Sequence, residues 1–280
     1  MNIVKASLQN AVRRMWKFAL ALFLCGAGLA VLTNVYDAAA TVERMGAAGE
    51  VTESGDAPPT EEGMEAMARA ALMLFFVGVL NLFFGFGTVL FAFLAPGGMV
   101  ANERGSAAIM LWAQHPMRLS TFYMRRYAGV QIATLGAMLV FGLTAAVAAL
   151  PPEASPATAV GGVASTCLVG MIACAVSFAI SALGVRRAAL FGLVYYLPSP
   201  PLARLLELSE VSPSTVAELA RTILPFAIFP LNAIEGLAGG LESGAAWDWG
   251  GTGMILYHFA LWTGVAWLGL RRIDGRPLKL

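Results

Sequence analysis

Six apolar runs, each long enough to cross a bilayer and separated by turns of alternating charge, constrain this chain of 280 residues more than any other feature. They lie at residues 18–36, 70–94, 127–150, 160–185, 188–206 and 252–270. A hydrocarbon core of ~30 Å needs about 20 helical residues at 1.5 Å each, so runs of this length read as spans. Backbone groups in lipid must find partners within the segment, which makes the spans helices. With 58% hydrophobic and 12% charged residues, the chain is far more apolar than the ~45–50% usual for soluble domains. The reading is an all-α integral membrane protein with one transmembrane domain over residues 1–280. A net charge of +1 implies no nucleic-acid partner.

The charges fall on two sides. Residues 1–17 carry Lys5, Arg13, Arg14 and Lys17 among Ile3, Val4, Leu8, Val12, Met15 and Trp16, the pattern of an amphipathic helix at the headgroup level. A signal peptide also begins in this way, but the following run is too long for one and is read as a retained first span. Residues 37–65 set Asp37, Glu43, Glu50, Glu53, Asp56, Glu61, Glu62 and Glu65 against Arg44 alone, and form an outer loop. Six spans then place Lys5, Arg13, Arg14, Lys17, Arg104, Arg118, Arg125, Arg126, Arg186, Arg187, Arg271, Arg272, Arg276 and Lys279 on one side, 14 of the 18 basic residues, with only Glu103 and Asp274 of the 17 acids. The positive-inside rule makes that side cytoplasmic and puts both termini there.

Two stretches depart from simple spans. The fifth run meets Pro198, Pro200 and Pro201, which predict a kink or break. Residues 207–248 carry six acids around an apolar stretch, 222–240, interrupted by Pro225 and Pro230. Two short re-entrant helices dipping into the outer leaflet fit this better than a crossing, because a seventh span would move the basic tail to the acidic side.

The turn of residues 99–126 interrupts the apolar runs on the basic side. Within it Gly105, Ile109, Trp112 and Ala113 recur at helical spacing, and Pro116 ends the helix by removing a backbone donor. A short helix across the cytoplasmic face is a docking element; the alternative is a solvated loop that only reverses the chain.

Candidate chemistry is sparse. Cys25, Cys167 and Cys174 lie inside apolar runs without metal or redox spacing and read as packing residues. His258 is the one histidine of the spans and reads as a packed residue; His115, beside Pro116, reads as solvated. Asn81 and Gln131 at membrane depth suit interhelical hydrogen bonds, and the glycines of the second and fourth runs suit close helix approach. No zinc-protease or phosphate-loop motif is present. No metal or cofactor is expected in this chain, and an enzyme is not.

The chain resembles the permease subunits of type-2, export-type ATP-binding-cassette transporters. The resemblance rests on Glu103 followed thirteen residues later by Pro116, with Ile109, Met110 and Trp112 between, and on Arg126 at the entry to the third span. It extends to the basic amphipathic start, to Leu224-Pro225 through Leu231-Asn232-Ala233-Ile234-Glu235-Gly236-Leu237, and to the closing Leu270-Arg271-Arg272-Ile273-Asp274. Ser106-Ala107-Ala108 stands where a Thr-Leu-Glu run is frequent. The resemblance implies a permease in the cytoplasmic (inner) membrane, paired with a second permease copy as a homodimer or heterodimer. ATP would be bound and hydrolysed by a separate ATPase subunit. Glu103, Arg104, Ile109, Trp112 and Pro116 would form the coupling helix that meets it, and a lipid-like or amphipathic cargo would suit the apolar spans. The rival readings are a membrane-embedded enzyme and a structural or assembly membrane protein without transport.

Overall fold

The structure, a computed structural model, describes residues 3–35, 61–104, 117–149, 155–202 and 222–274. Among these the chain is all-α: α1 (Ile3–Val35), α2 (Glu61–Leu94), α3 (Met99–Arg104), α4 (Leu119–Ala149), α5 (Pro156–Ala182), α6 (Ala188–Tyr196), α7 (Leu231–Ser243) and α8 (Trp249–Asp274), with helical residues also at 199–202 and 222–227. Among the described residues five stretches are long and apolar enough to cross a membrane: Ile3–Leu32, Leu74–Arg104, Leu119–Val147, Pro156–Ala182 and Trp249–Asp274. The protein therefore has a multi-pass membrane architecture that is all-α among the described residues.

Helix α5 is the centre of the bundle. Ser155 caps it by accepting from the Thr158 amide, and Pro156 follows where a missing N–H costs nothing. Every residue from Ile172 to Ala179 is buried, so this helix has no outward face in its second half. Helices α2, α4, α7 and α8 pack around it, and α1 lies along α4 and α2. Lipid tails are as apolar as leucine, so small residues that permit close packing, rather than a hydrophobic driving force, hold such helices together. Gly129 of α4 shows this: a Cβ there would stand 2.9 Å from Ser7 Cβ and 3.1 Å from the Leu8 amide of α1. Tyr127 of α4 stacks on Phe178 of α5 with ring centroids 4.3 Å apart.

Several boundaries differ from the sequence reading. The amphipathic start is not a separate helix, because nothing between Ile3 and the first span breaks hydrogen bonding; α1 runs unbroken for 33 residues. Helix α2 begins at Glu61, inside the stretch read as an outer loop, and α4 begins at Leu119 rather than at 127. The fifth run is shorter than a span among the described residues. Helix α6 has nine residues, ~13 Å at 1.5 Å each, and a turn at Leu197 and Pro198 precedes residues 199–202. Thr222 to Leu237 is two helical pieces broken before Pro230, not one continuous helix. The second of these, α7, buries Ile234 and Leu237 in the same core as Ile172 of α5.

Candidate coupling site

The junction between α2 and α3 is where the basic end of the bundle is tied together. Ala95-Pro96-Gly97-Gly98 ends α2, and Gly98 takes φ +72°, a left-handed turn that a side chain rarely adopts. Broken helices leave orphan carbonyls on one side and orphan amides on the other. Two serines of α5, one turn apart, serve both. Ser177 Oγ donates to the Phe93 carbonyl at 2.6 Å, and Ser181 Oγ accepts from the amides of Val100 at 3.0 Å and Ala101 at 3.3 Å. Both serines are fully buried.

The far end of α3 is fastened to two helices. Glu103 lies between Arg126, whose Nη1 donates to both carboxylate oxygens at 2.7 Å, and Tyr123, whose hydroxyl donates to Oε2 at 2.9 Å. The Arg126 and Glu103 side chains are only 15% and 23% exposed, so water screens the pair less than it would a surface pair. The Arg126 guanidinium also sits over the Phe122 and Tyr123 rings, 5.4 and 5.7 Å from their centroids. Arg104 turns the other way, to the Ala182 carbonyl at the end of α5, at 3.4 Å. That end closes with Val185 N–H bonding Ile180 O and Gly184 at φ +99°, a glycine-terminated cap. Asp274, at the end of α8, accepts from the Ser120 amide at 3.2 Å and caps the start of α4. Arg104, Arg126, Arg186, Arg187, Arg271 and Arg272 thus gather with the ends of α2, α4, α5 and α8 at one end of the bundle.

Of the sequence-predicted coupling residues, the structure brings Glu103 and Arg104 into this junction. Ile109, Trp112 and Pro116 lie outside the described residues. Glu103 is turned inward to α4, rather than presented on an outer surface. The sequence reading noted Arg126 as a basic residue entering a span and did not pair it with Glu103; it gave Ser177 and Ser181 no role. Their signal was the i, i+4 spacing of two hydroxyls within an apolar run.

The other polar candidates are engaged elsewhere. His258 is fully buried; its Nε2–H donates to the Pro225 carbonyl at 2.9 Å, and its Nδ1 faces the Tyr195 hydroxyl at 3.4 Å. A carbonyl only accepts, so a proton is on Nε2 and the ring caps the helical residues 222–227. Gln131 donates to the Met171 carbonyl at 3.2 Å, the interhelical bond that its position suggested. Among the described residues no three His, Cys, Asp or Glu side chains stand together as metal ligands. No protein-family model, curated protein or solved structure matches this chain.

Proposed function

We propose that the chain is the permease subunit of an ATP-binding-cassette exporter of the type-2 class, working with a separate ATPase and a second permease copy. The observation that carries this reading is the junction itself. The residues on either side of 105–116 are clamped into the bundle, through Glu103 and Arg104 on one side and through Asp274 and the start of α4 on the other. A partner moving residues 105–116 would pull directly on α4 and α5, the helices with the most extensive shared packing with the rest of the bundle. A solvated loop needs no such anchoring.

In this reading the basic end is cytoplasmic, residues 188–206 form the kinked fifth of six spans, and residues 222–227 with α7 form the outer re-entrant pair. Ile109 and Trp112 face the ATPase, ATP is handled by that partner, and this chain performs no catalysis. Cargo of lipid-like or amphipathic character passes between the two permeases. The test is co-purification of the ATPase and its activity in the complex. Trp112→Ala should weaken association by about 2 kcal/mol, the scale of an aromatic interface anchor, while leaving the permease folded. Wild-type association and wild-type ATPase activity in that variant would refute the reading.

A further inference from the structure

A groove of about 570 Å³ runs along the bundle between α1 and α4, closed below by the end of α2. Its floor is made by buried Met15, Phe91 and Phe141, and its walls by the exposed Val12, Trp16 and Val140. Its lining is apolar almost throughout. At the basic end it adjoins a polar recess on α1 that shares Leu8 and Val12 with it and adds Gln9, Asn10 and Arg13. Arg13, which lines that recess, is exposed and has no ion-pair partner among the described residues.

We propose that this groove is a binding site for one anionic phospholipid, with its headgroup at Gln9, Asn10 and Arg13 and an acyl chain along α1 and α4. Three features carry it. Arg13 to Phe23, the deepest α1 residue of the groove, is ten residues or ~15 Å of helix, half of a ~30 Å hydrocarbon core and so the depth of one leaflet. Ala95, where α2 ends, also lines the groove, which sets its polar mouth at the level of the basic end. Arg13 at that mouth, with the side-chain amides of Gln9 and Asn10 lining the same recess, matches a phosphate without a compensating headgroup cation, and Trp16, one turn below, has the amphipathic ring that favours the headgroup level. The site requires only that the helices cross a bilayer, so it stands or falls separately from the ATPase reading.

Native mass spectrometry of the detergent-extracted protein, titrated with dioleoyl phosphatidylglycerol and dioleoyl phosphatidylcholine, tests it. One phosphatidylglycerol per chain should be retained over phosphatidylcholine. Arg13→Gln should cut that preference about fivefold, the effect of one cation near a lipid surface, and leave phosphatidylcholine retention unchanged. Gly136 lines the groove, and a Cβ on it would meet no atom within 4 Å. Gly136→Phe should therefore fill the groove without displacing the helices, and lower retention of both lipids more than about tenfold, the effect of excluding two methylenes. Circular dichroism should be unchanged; Val140→Trp narrows the same groove from its exposed wall and serves if the first variant does not fold. Equal retention of the two lipids by the wild type, or retention unaffected by both groove-filling variants, would overturn the site. So would cross-linking of two copies through Leu20→Cys in a cysteine-free background, because a second copy would then fill the groove.

Discussion

The Glu103–Arg126 pair offers the sharpest perturbation of the junction. Arg126 Nη1 stands 2.7 Å from both Glu103 carboxylate oxygens, and unit charges ~4 Å apart at an effective dielectric of 20 attract by ~4 kcal/mol gross. Desolvation takes part of this back. An exposed pair is worth 0.2–1 kcal/mol by mutant cycles, and removing one member of a buried pair costs ~3–5 kcal/mol. With side chains 15% and 23% exposed, the pair lies between these limits, and a coupling energy of about 2 kcal/mol follows. The two single variants should not be equal. Glu103→Gln keeps a neutral acceptor for Arg126 and Tyr123, whereas Arg126→Gln leaves a half-buried carboxylate with the Tyr123 hydroxyl and α3's other contacts, and should cost more. Unfolding in detergent of both singles and the double variant measures the cycle. Additivity within about 0.5 kcal/mol would show that the pair does not hold α3 to α4. The exchange Glu103→Arg with Arg126→Glu separates the roles of Glu103. An internal clamp should regain most of the lost stability and of the ATPase coupling, while a carboxylate that meets the partner should leave the exchanged protein uncoupled.

Ser181→Ala removes the acceptor of two buried amides at the start of α3 and should cost about 1–2 kcal/mol, with faster amide exchange confined to residues 99–102; unchanged exchange there would remove the serine from the junction. His258→Leu leaves the Pro225 carbonyl and the Tyr195 hydroxyl without their partner, and should cost about 1–3 kcal/mol in the unfolding assay while leaving ATPase association intact; loss of association at full stability would point instead to a functional histidine. In a cysteine-free background, Ser155→Cys should react with an impermeant maleimide from outside intact cells and Arg118→Cys should not; the reverse labelling would invert the orientation.

The fold was legible in the sequence wherever the bilayer imposes one solution. Runs of the right length must be helices, and α5 and α8 lie within a few residues of their predicted bounds for that reason. Boundaries failed where the chain stays helical beyond the apolar run. Arg13, Arg14 and Lys17 are good helix formers, so α1 passes through the charge cluster without a break. Leu119 to Arg126 likewise joins α4, although its charges read as part of a turn. Composition locates the bilayer; it does not say where hydrogen bonding stops.

The junction was legible only as an anomaly. Glu103 stood out as an acid on a basic side, yet its partner is 23 residues along the chain and reaches it only because α4 begins eight residues earlier than its apolar run. Beyond the i, i+4 spacing of Ser177 and Ser181, the rotation of α5 that aims them at the break leaves little apolar-to-polar contrast, since Phe178, Ala179 and Ala182 around them are buried too. Under the proposed function their spacing sets the route that motion would take. One helical turn, ~5.4 Å, separates the hydroxyl that holds the Phe93 carbonyl near the end of α2 from the one that holds the first amides of α3. Helix α3 is tied to α5 by Ser181 and Arg104 and to α4 by Glu103, but to α2 only through a turn containing two glycines. On the proposed coupling role, a displacement of residues 105–116 would load α4 and α5 before α2, and α2 would yield at Gly98, where the backbone of the α2–α3 turn occupies a conformation that favours glycine.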